Sequence, residues 1–373
     1  MNFRVMHIIF AVRRNKTMSL SKSRGNREHC MPARPSRTAC LFCCLFSVLV
    51  CSLSGCLGSS PDEVVVYSAL DKEFSEPILQ KLEEESGIKP LPKYDQESNK
   101  TVGLANEIIQ QARRQRCDIF WNNEILHTLR LEKKGLLEVY RSPLADQYPA
   151  QFVSSNNTWH GFAARARVLI VNTEMLPEVS DRPTSVLDLA DPKWKGNCGI
   201  AKPLFGTTAT HAAVLFAEWG EQRATKFLTD VAGNAVVEGG NKQVAINVAR
   251  GRYAFGITDT DDAIIELEQG KPVAIVFPDQ GEQEMGAMLI PNTLCIIKGG
   301  PNTERAKQLV DLLLDKDVEE ALAAGSSAQV PLSSKVSLKS RVAPRDLKIM
   351  KVDFQKAADN WDKSAAKVAE IFK

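Results

Sequence analysis

"EVVVYSALDKEFSEPILQKLEEESGIKPLPKY", residues 63–94, decides the class of fold. Its opening valines run on without polar alternation, as in a strand buried on both faces. A serine-containing turn follows, then an amphipathic helix stopped by Gly87, and "IKPLPKY" reads as a second strand. The order then recurs: "TVGLANEIIQQARRQR" as a helix, "CDIFW" as a third strand, "NNEILHTLRLEKKGLLEVY" as another helix. Three alternations of strand and helix in succession predict a parallel sheet covered by helices.

Downstream, "WHGFAARARVLIVNT" reads as two strands or one long bent strand, and "SVLDLADPKWKGNCGIAKP" as helix, turn and strand. "GTTATHAAVLFAEWGEQRATKFLTDVAG" predicts a pair of helices, "NKQVAINVARGRYAFGITD" a helix then a strand, and "DDAIIELEQG" one more helix. The alternation thus restarts in a second α/β unit. Strands at "VAIVFPDQ" and "AMLIPNTLCIIKG", a helical stretch from Asn302, and one amphipathic helix over "DFQKAADNWDKSAAKVAEIF" complete the chain. The expected division is 63–160 plus 280–330 for the first lobe and 161–279 plus 331–373 for the second, with a ligand cleft between them.

Upstream, basic residues scattered from Arg4 to Arg37 precede the short apolar run "ACLFCCLFSVLVCSLSGC". Basic flank, short apolar core and small-residue exit predict an export signal over residues 1–55 rather than a spanning helix. Its end, Leu53-Ser54-Gly55-Cys56, resembles a bacterial lipobox, which implies cleavage before Cys56 and a lipid on that thiol. Residues 56–62 would then be a polar tether to the membrane. Six of the nine cysteines fall in or at the end of this leader; Cys117, Cys198 and Cys295 have no metal-site spacing and read as buried thiols. The 373 residues are 44% hydrophobic and 25% charged with a net charge of +2, which excludes a disordered or fibrous chain and gives no pull toward nucleic acid.

In open α/β sheets ligands sit beyond the carboxyl ends of strands, so the strand-to-helix turns are the places to look. Five carry short polar groups: "YSALD" (67–71), "WNNE" (121–124), "KPLFGTTAT" (202–210), "EGGNKQ" (238–243) and "GITDTDD" (256–262). The last gathers Asp259, Asp261 and Asp262, and three like charges so close need either open water or something that compensates them. One aspartate there suffices to start a helix; three exceed what a cap requires. Gly206, Thr207 and Thr208 open a helix whose unpaired N–H groups suit an anion, or cap it simply; Asn241 opens the next in the same way. Arg165 and Arg167 alternate onto one strand face, either toward the cleft as an anion clamp or on a solvated edge. His127, His160 and His211 lack metal-site spacing, and no nucleophile elbow or phosphate-binding loop of nucleotide hydrolases is present.

From "VVVYSALDKE" through "DIFWNNE", "GFAARARVLIVNTE" and "VARGRYAFGITDTDD" to "GAMLIPNTLCIIKGGPN", the chain resembles the solute-binding proteins of bacterial iron-type ABC importers, the ferric-iron-binding, transferrin-like family. That resemblance implies a type II periplasmic-binding-protein fold closing on Fe(III) with a synergistic anion, a permease and ATPase as partners, a monomer and no catalysis. It places Tyr67, Ser68, Asp71, Asn123, Glu124, Arg165, Arg167, Gly206, Thr207, Thr208, Asn241, Asp259 and Thr260 at the ligand, with Asp261 and Asp262 at the metal. This sequence departs from the pattern where it matters most: Asp261-Asp262 stand where ferric members have a tyrosine pair, and the histidine of the first turn is missing. Carboxylate oxygens suit a hard cation. The loss of both phenolates nonetheless leaves open a phosphonate, a sugar phosphate or another small zwitterion as ligand, and, in a different class, an exported metal-dependent hydrolase using the three aspartates.

Overall fold

The computed structural model describes residues 62–94, 101–338, 340–344 and 346–373. The expected signal (1–55), Cys56 and all of the tether but Asp62 lie outside the described residues. No helix among them is long and apolar enough to cross a membrane.

Strands β1 (Glu63–Ser68), β2 (Lys89–Tyr94) and β3 (Ile119–Asn122) pair in parallel, joined by helices α1 (Lys72–Ser86) and α2 (Val102–Gln110). Gly87 ends α1 in the left-handed conformation, its N–H returning to the Glu83 carbonyl. After α3 (Leu126–Lys133) comes β4 (Trp159–Asn172), buried along all 14 residues. It is one long strand that changes partners. Trp159 to Ala166 lie antiparallel to β9 (Leu289–Ile296), itself paired with β3; Arg167 to Val171 instead pair with β7 (Phe255–Asp259), and Leu169 to Asn172 also with β8 (Val273–Val276). The expected lobe boundary at 160/161 therefore falls inside a continuous strand. Near the switch the register slips between Phe162 and Ala164, and Ala163 takes a positive φ of 39°, a bulge that bends the strand.

The second half continues in parallel from β7 to β5 (Cys198–Ala201) and β6 (Val236–Glu238), covered by α4 (Gly206–Trp219), α5 (Glu221–Asn234), α6 (Asn241–Ala249) and α7 (Thr260–Glu268). The fold is the two-lobed type II arrangement, each lobe having parallel outer strands and sharing β4 across the middle.

Three local expectations are corrected. "SVLDLADPKW" is not a regular helix but two short 3-10 turns, Val186–Ala190 and Pro192–Trp194, because the residue before Pro192 cannot stay helical. The C-terminal helix is two, α10 (Phe354–Asp359) and α11 (Trp361–Ile371), broken at Asn360, whose amide donates to the Lys356 carbonyl at 2.8 Å. Residues 331–373, expected with the second lobe, pack against both: Ala357, Ala358 and Trp361 share one apolar core with Leu126 and Leu129 of α3 and with Ala209, Ala213 and Ala217 of α4. Two further helices, α8 (Thr303–Leu313) and α9 (Lys316–Ala324), cover the first lobe before that C-terminal pair.

Candidate functional site

The five polar turns meet. One pocket is lined by Asp71 after β1, Asn123 after β3, Ala201 to Thr208 after β5 in part, Gly239 to Asn241 after β6, and Asp259, Asp261 and Asp262 after β7, with Arg165 entering from β4. It is narrow, about 40 Å³, and wider hollows of about 590 and 610 Å³ lie elsewhere as open surface grooves. Convergent polar groups at strand ends, not size, mark the functional cavity.

One wall of the pocket begins at α4. Phe205 is extended, and Gly206 enters the helix at φ 55° with nothing within 4 Å of where a side chain would start, so conformation rather than space calls for glycine there. The first N–H groups of α4 have no acceptor within their own helix and point with its dipole toward the pocket. Beneath them lies a polar network centred on Arg167, whose Nη1 is bonded while its buried Nε and Nη2 are not. Arg167 Nη1 donates to Asp259 Oδ1 at 2.7 Å, to Asn241 Oδ1 at 3.1 Å and to Thr207 Oγ1 at 3.4 Å. Thr207 donates in turn to Asp259 Oδ2; Asn241 Nδ2 donates to Thr207 Oγ1 at 2.9 Å and to Asp259 Oδ2 at 3.0 Å; Thr208 Oγ1 donates to Asn241 Oδ1 at 2.9 Å. Both oxygens of Asp259 are thus engaged by the protein itself.

Arg165 faces the pocket, 3% exposed. Its Nη1 is 3.4 Å from Asp261 Oδ2 and its Nη2 donates to Asn292 Oδ1 at 3.2 Å, while its buried Nε has no hydrogen-bond partner. Burial works against the guanidinium charge, but Asp261, Asp259, Asp71 and Asp262 together outweigh it and hold the pKa above the ordinary arginine value. Asp261 is 5% exposed, so the acidic turn is not a solvated cap, and Asp259 makes no capping bond to α7.

Several expected ligand residues sit elsewhere, and the structure corrects their placement. Tyr67 turns from the cleft into the core, its hydroxyl donating to Glu107 Oε1 at 2.9 Å, and burial reinforced by that carboxylate pushes the phenol up to about 12. Ser68 Oγ donates to the Leu70 carbonyl at 3.1 Å. Glu124 is fully buried as the cap of α3, accepting from the Leu126 and His127 amides and from Thr210 Oγ1 of α4 at 2.8 Å; burial raises its pKa. Thr260 Oγ1 accepts from the Ala166 amide at 3.1 Å and ties α7 to the switch point of β4. Arg167 lies under the pocket rather than in its wall. Lys202 and Phe205 line the pocket without having been singled out from sequence; the lysine stands in a turn that was recognised, but lysines are ordinarily solvated.

Asp259, Asp261 and Asp262 can each turn an oxygen to within 4.8 Å of the others, a geometry open to a hard cation. Against that, Arg167 already neutralises Asp259 and Arg165 stands beside Asp261. None of the five tyrosines lines the pocket, and none of the described histidines does.

A family model described as bacterial extracellular solute-binding protein matches residues 127–358, more than half of the chain. The chain belongs to that family. Among its relatives is the major ferric iron-binding protein of Neisseria meningitidis, 25% identical over 78% of this chain and 87% of that one. A protein of Haemophilus influenzae without an assigned role is 31% identical over 60% of this chain and 66% of its own length. A putative 2-aminoethylphosphonate-binding periplasmic protein of Salmonella typhi is 24% identical over 58% of this chain and 61% of that one. Of solved structures, iron-bound HitA of Pseudomonas aeruginosa superposes with a TM-score of 0.75 at 20% identity, covering 83% of this chain and 99% of that one. A periplasmic binding protein of Actinobacillus pleuropneumoniae with fructose-6-phosphate bound gives 0.73 at 25% identity, covering 83% and 98%. The solute-binding fold and the ferric-type family suggested by the resemblance are thereby established, and the relatives include one named for 2-aminoethylphosphonate as well as ones named for iron.

Proposed function

We propose that this solute-binding protein is the extracytoplasmic capture subunit of an ABC importer, working as a monomer with a permease and an ATPase. Its ligand is a small organic phosphate or phosphonate bearing a cationic or hydroxylated far end. The phosphoryl group sits at the N-terminus of α4 with Arg165 beside it; Asp71, Asp261 and Asp262 receive the other end. The two lobes open at the β4 switch to admit it. Residues 1–55 are removed, and Cys56 carries the lipid that holds the protein at the outer face of a membrane through tether 56–62. No reaction is catalysed.

One observation carries the choice of ligand: a pocket with a helix N-terminus, a buried arginine and, among the described residues, no phenol or imidazole. The relatives named for 2-aminoethylphosphonate and crystallised with fructose-6-phosphate lend it support. The second reading, ferric iron with a companion anion, rests on the three close carboxylates and the ferric relatives.

Thermal-shift screening separates them, since a ligand that binds only the native state raises the melting temperature by mass action. We expect a rise with aminoalkylphosphonates or hexose phosphates and none with ferric iron plus phosphate. Iron-loaded protein should also lack the visible charge-transfer band that a tyrosinate ligand gives. A colourless but tight ferric complex, with no response to phosphorylated organics, would reverse the assignment. Turnover of phosphoesters with added divalent metal would move the protein to the hydrolase class.

A further inference from the structure

We infer that Lys202 is the specificity residue that selects a doubly charged phosphoryl group over a singly charged acid of the same shape. This deepens, and rests on, the phosphorylated-ligand reading above. Lys202 follows β5 directly and stands at the approach to α4, its backbone amide donating to the Glu238 carbonyl at 2.8 Å, so its main chain is fixed between β6 and the anion-facing helix. The register of β5 on β7, Ile200 opposite Ile257, carries Lys202 to the level of Asp259. Its side chain lines the same pocket as four carboxylates, yet among the described residues its ammonium makes no hydrogen bond or ion pair. Two of those acids are matched from the other side, Asp259 by Arg167 and Asp261 by Arg165.

Charge counting then gives Lys202 its part. The helix N-terminus supplies about half a positive charge and Arg165 one, part of which Asp261 already uses. One ligand charge can be balanced there; a second needs another cation, and among the described residues of the wall Lys202 is a cation without a partner. Phosphate monoesters carry close to two charges at neutral pH and above, whereas sulfate esters and sulfonates of the same tetrahedral shape carry one. A point charge on a flexible stem responds to that difference more than to geometry.

The test is calorimetric titration at roughly pH 8, where the phosphoryl group is fully ionised. The matched pairs are 2-aminoethylphosphonate against 2-aminoethylsulfonate, and a hexose phosphate against the corresponding hexose sulfate. Native protein should prefer the phosphorus member of whichever pair it binds by at least about tenfold, as for one additional charge-assisted contact. Lys202→Met should cut that preference by about tenfold while changing sulfonate or sulfate affinity by no more than about twofold; Lys202→Arg should keep it. A merely structural role would weaken both members alike. A Lys202→Met protein that retains the native preference overturns the inference and leaves the ligand reading standing. Native protein that binds neither phosphorus probe removes both.

Discussion

Arg167 and Asp259 were each read as ligand groups, and their geometry gives them a different task. Both side chains are essentially buried and meet at 2.7 Å, with Thr207 and Asn241 occupying what remains of the carboxylate. A buried pair is costly to break because the survivor is left uncompensated. Arg167→Met should therefore destabilise the fold by about 3–5 kcal/mol in urea unfolding. Adding Asp259→Asn should recover part of that loss, with a coupling of at least about 0.5 kcal/mol. Strict additivity of the two replacements would mean the pair does not organise the α4 wall of the pocket. Sequence brought both residues into view, but not their split roles: two arginines one residue apart share a face only while the strand keeps its neighbours, and β4 exchanges β9 for β7 between Ala166 and Arg167. Tyr67 and Ser68 illegibly face the core for a related reason, since a strand buried on both sides carries no alternation to say which face meets the cleft.

At the level of elements, the strand-to-helix turns were legible and the helices around them mostly so. A turn with more short polar residues than its geometry needs is visible without coordinates, and all five such turns contribute to one pocket. Glu124 misled because a capping carboxylate and a metal-binding one look alike in sequence; only the amides of Leu126 and His127 tell them apart. In the proposed binding mode the start of α4 is the element that holds the phosphoryl group. Gly206→Ala forces an alanine to φ 55°, which should cost about 1–2 kcal/mol of stability, read from the urea midpoint. If the replaced residue also shifts the first N–H groups, affinity for the phosphoryl probe should fall by about tenfold or more, measured by titration. Unchanged affinity would place the anion away from this helix tip.

Across the whole molecule, the two lobes touch through contacts of unequal weight. Lys242 Nζ lies 3.0 Å from Glu73 Oε1 at the exposed mouth of the cleft, a pair worth little. The Thr210 hydroxyl on Glu124 is buried and counts for more. Acid should loosen the whole assembly through its histidines. Burial, the largest influence on each, depresses His127 and His211 to about 3 and His160 to about 4. The native state thus holds them neutral, so their contribution is complete above the unfolded value of about 6.5 and is lost as pH falls from there toward about 4 for His160 and about 3 for His127 and His211. His160→Gln, which keeps an acceptor for the Ser142 amide, should flatten the dependence of unfolding free energy on pH between 6 and 5 by about 1 kcal/mol per pH unit. Identical slopes in the two proteins would show that His160 is protonated in the native state.

The placement of α10 between α3 and α4 has a consequence for biosynthesis. The segment that braces both halves leaves the ribosome after every residue of the pocket. Until it emerges, each sheet must mature without its rear support, so a truncated or stalled product should be loose at the pivot even where every pocket residue is present.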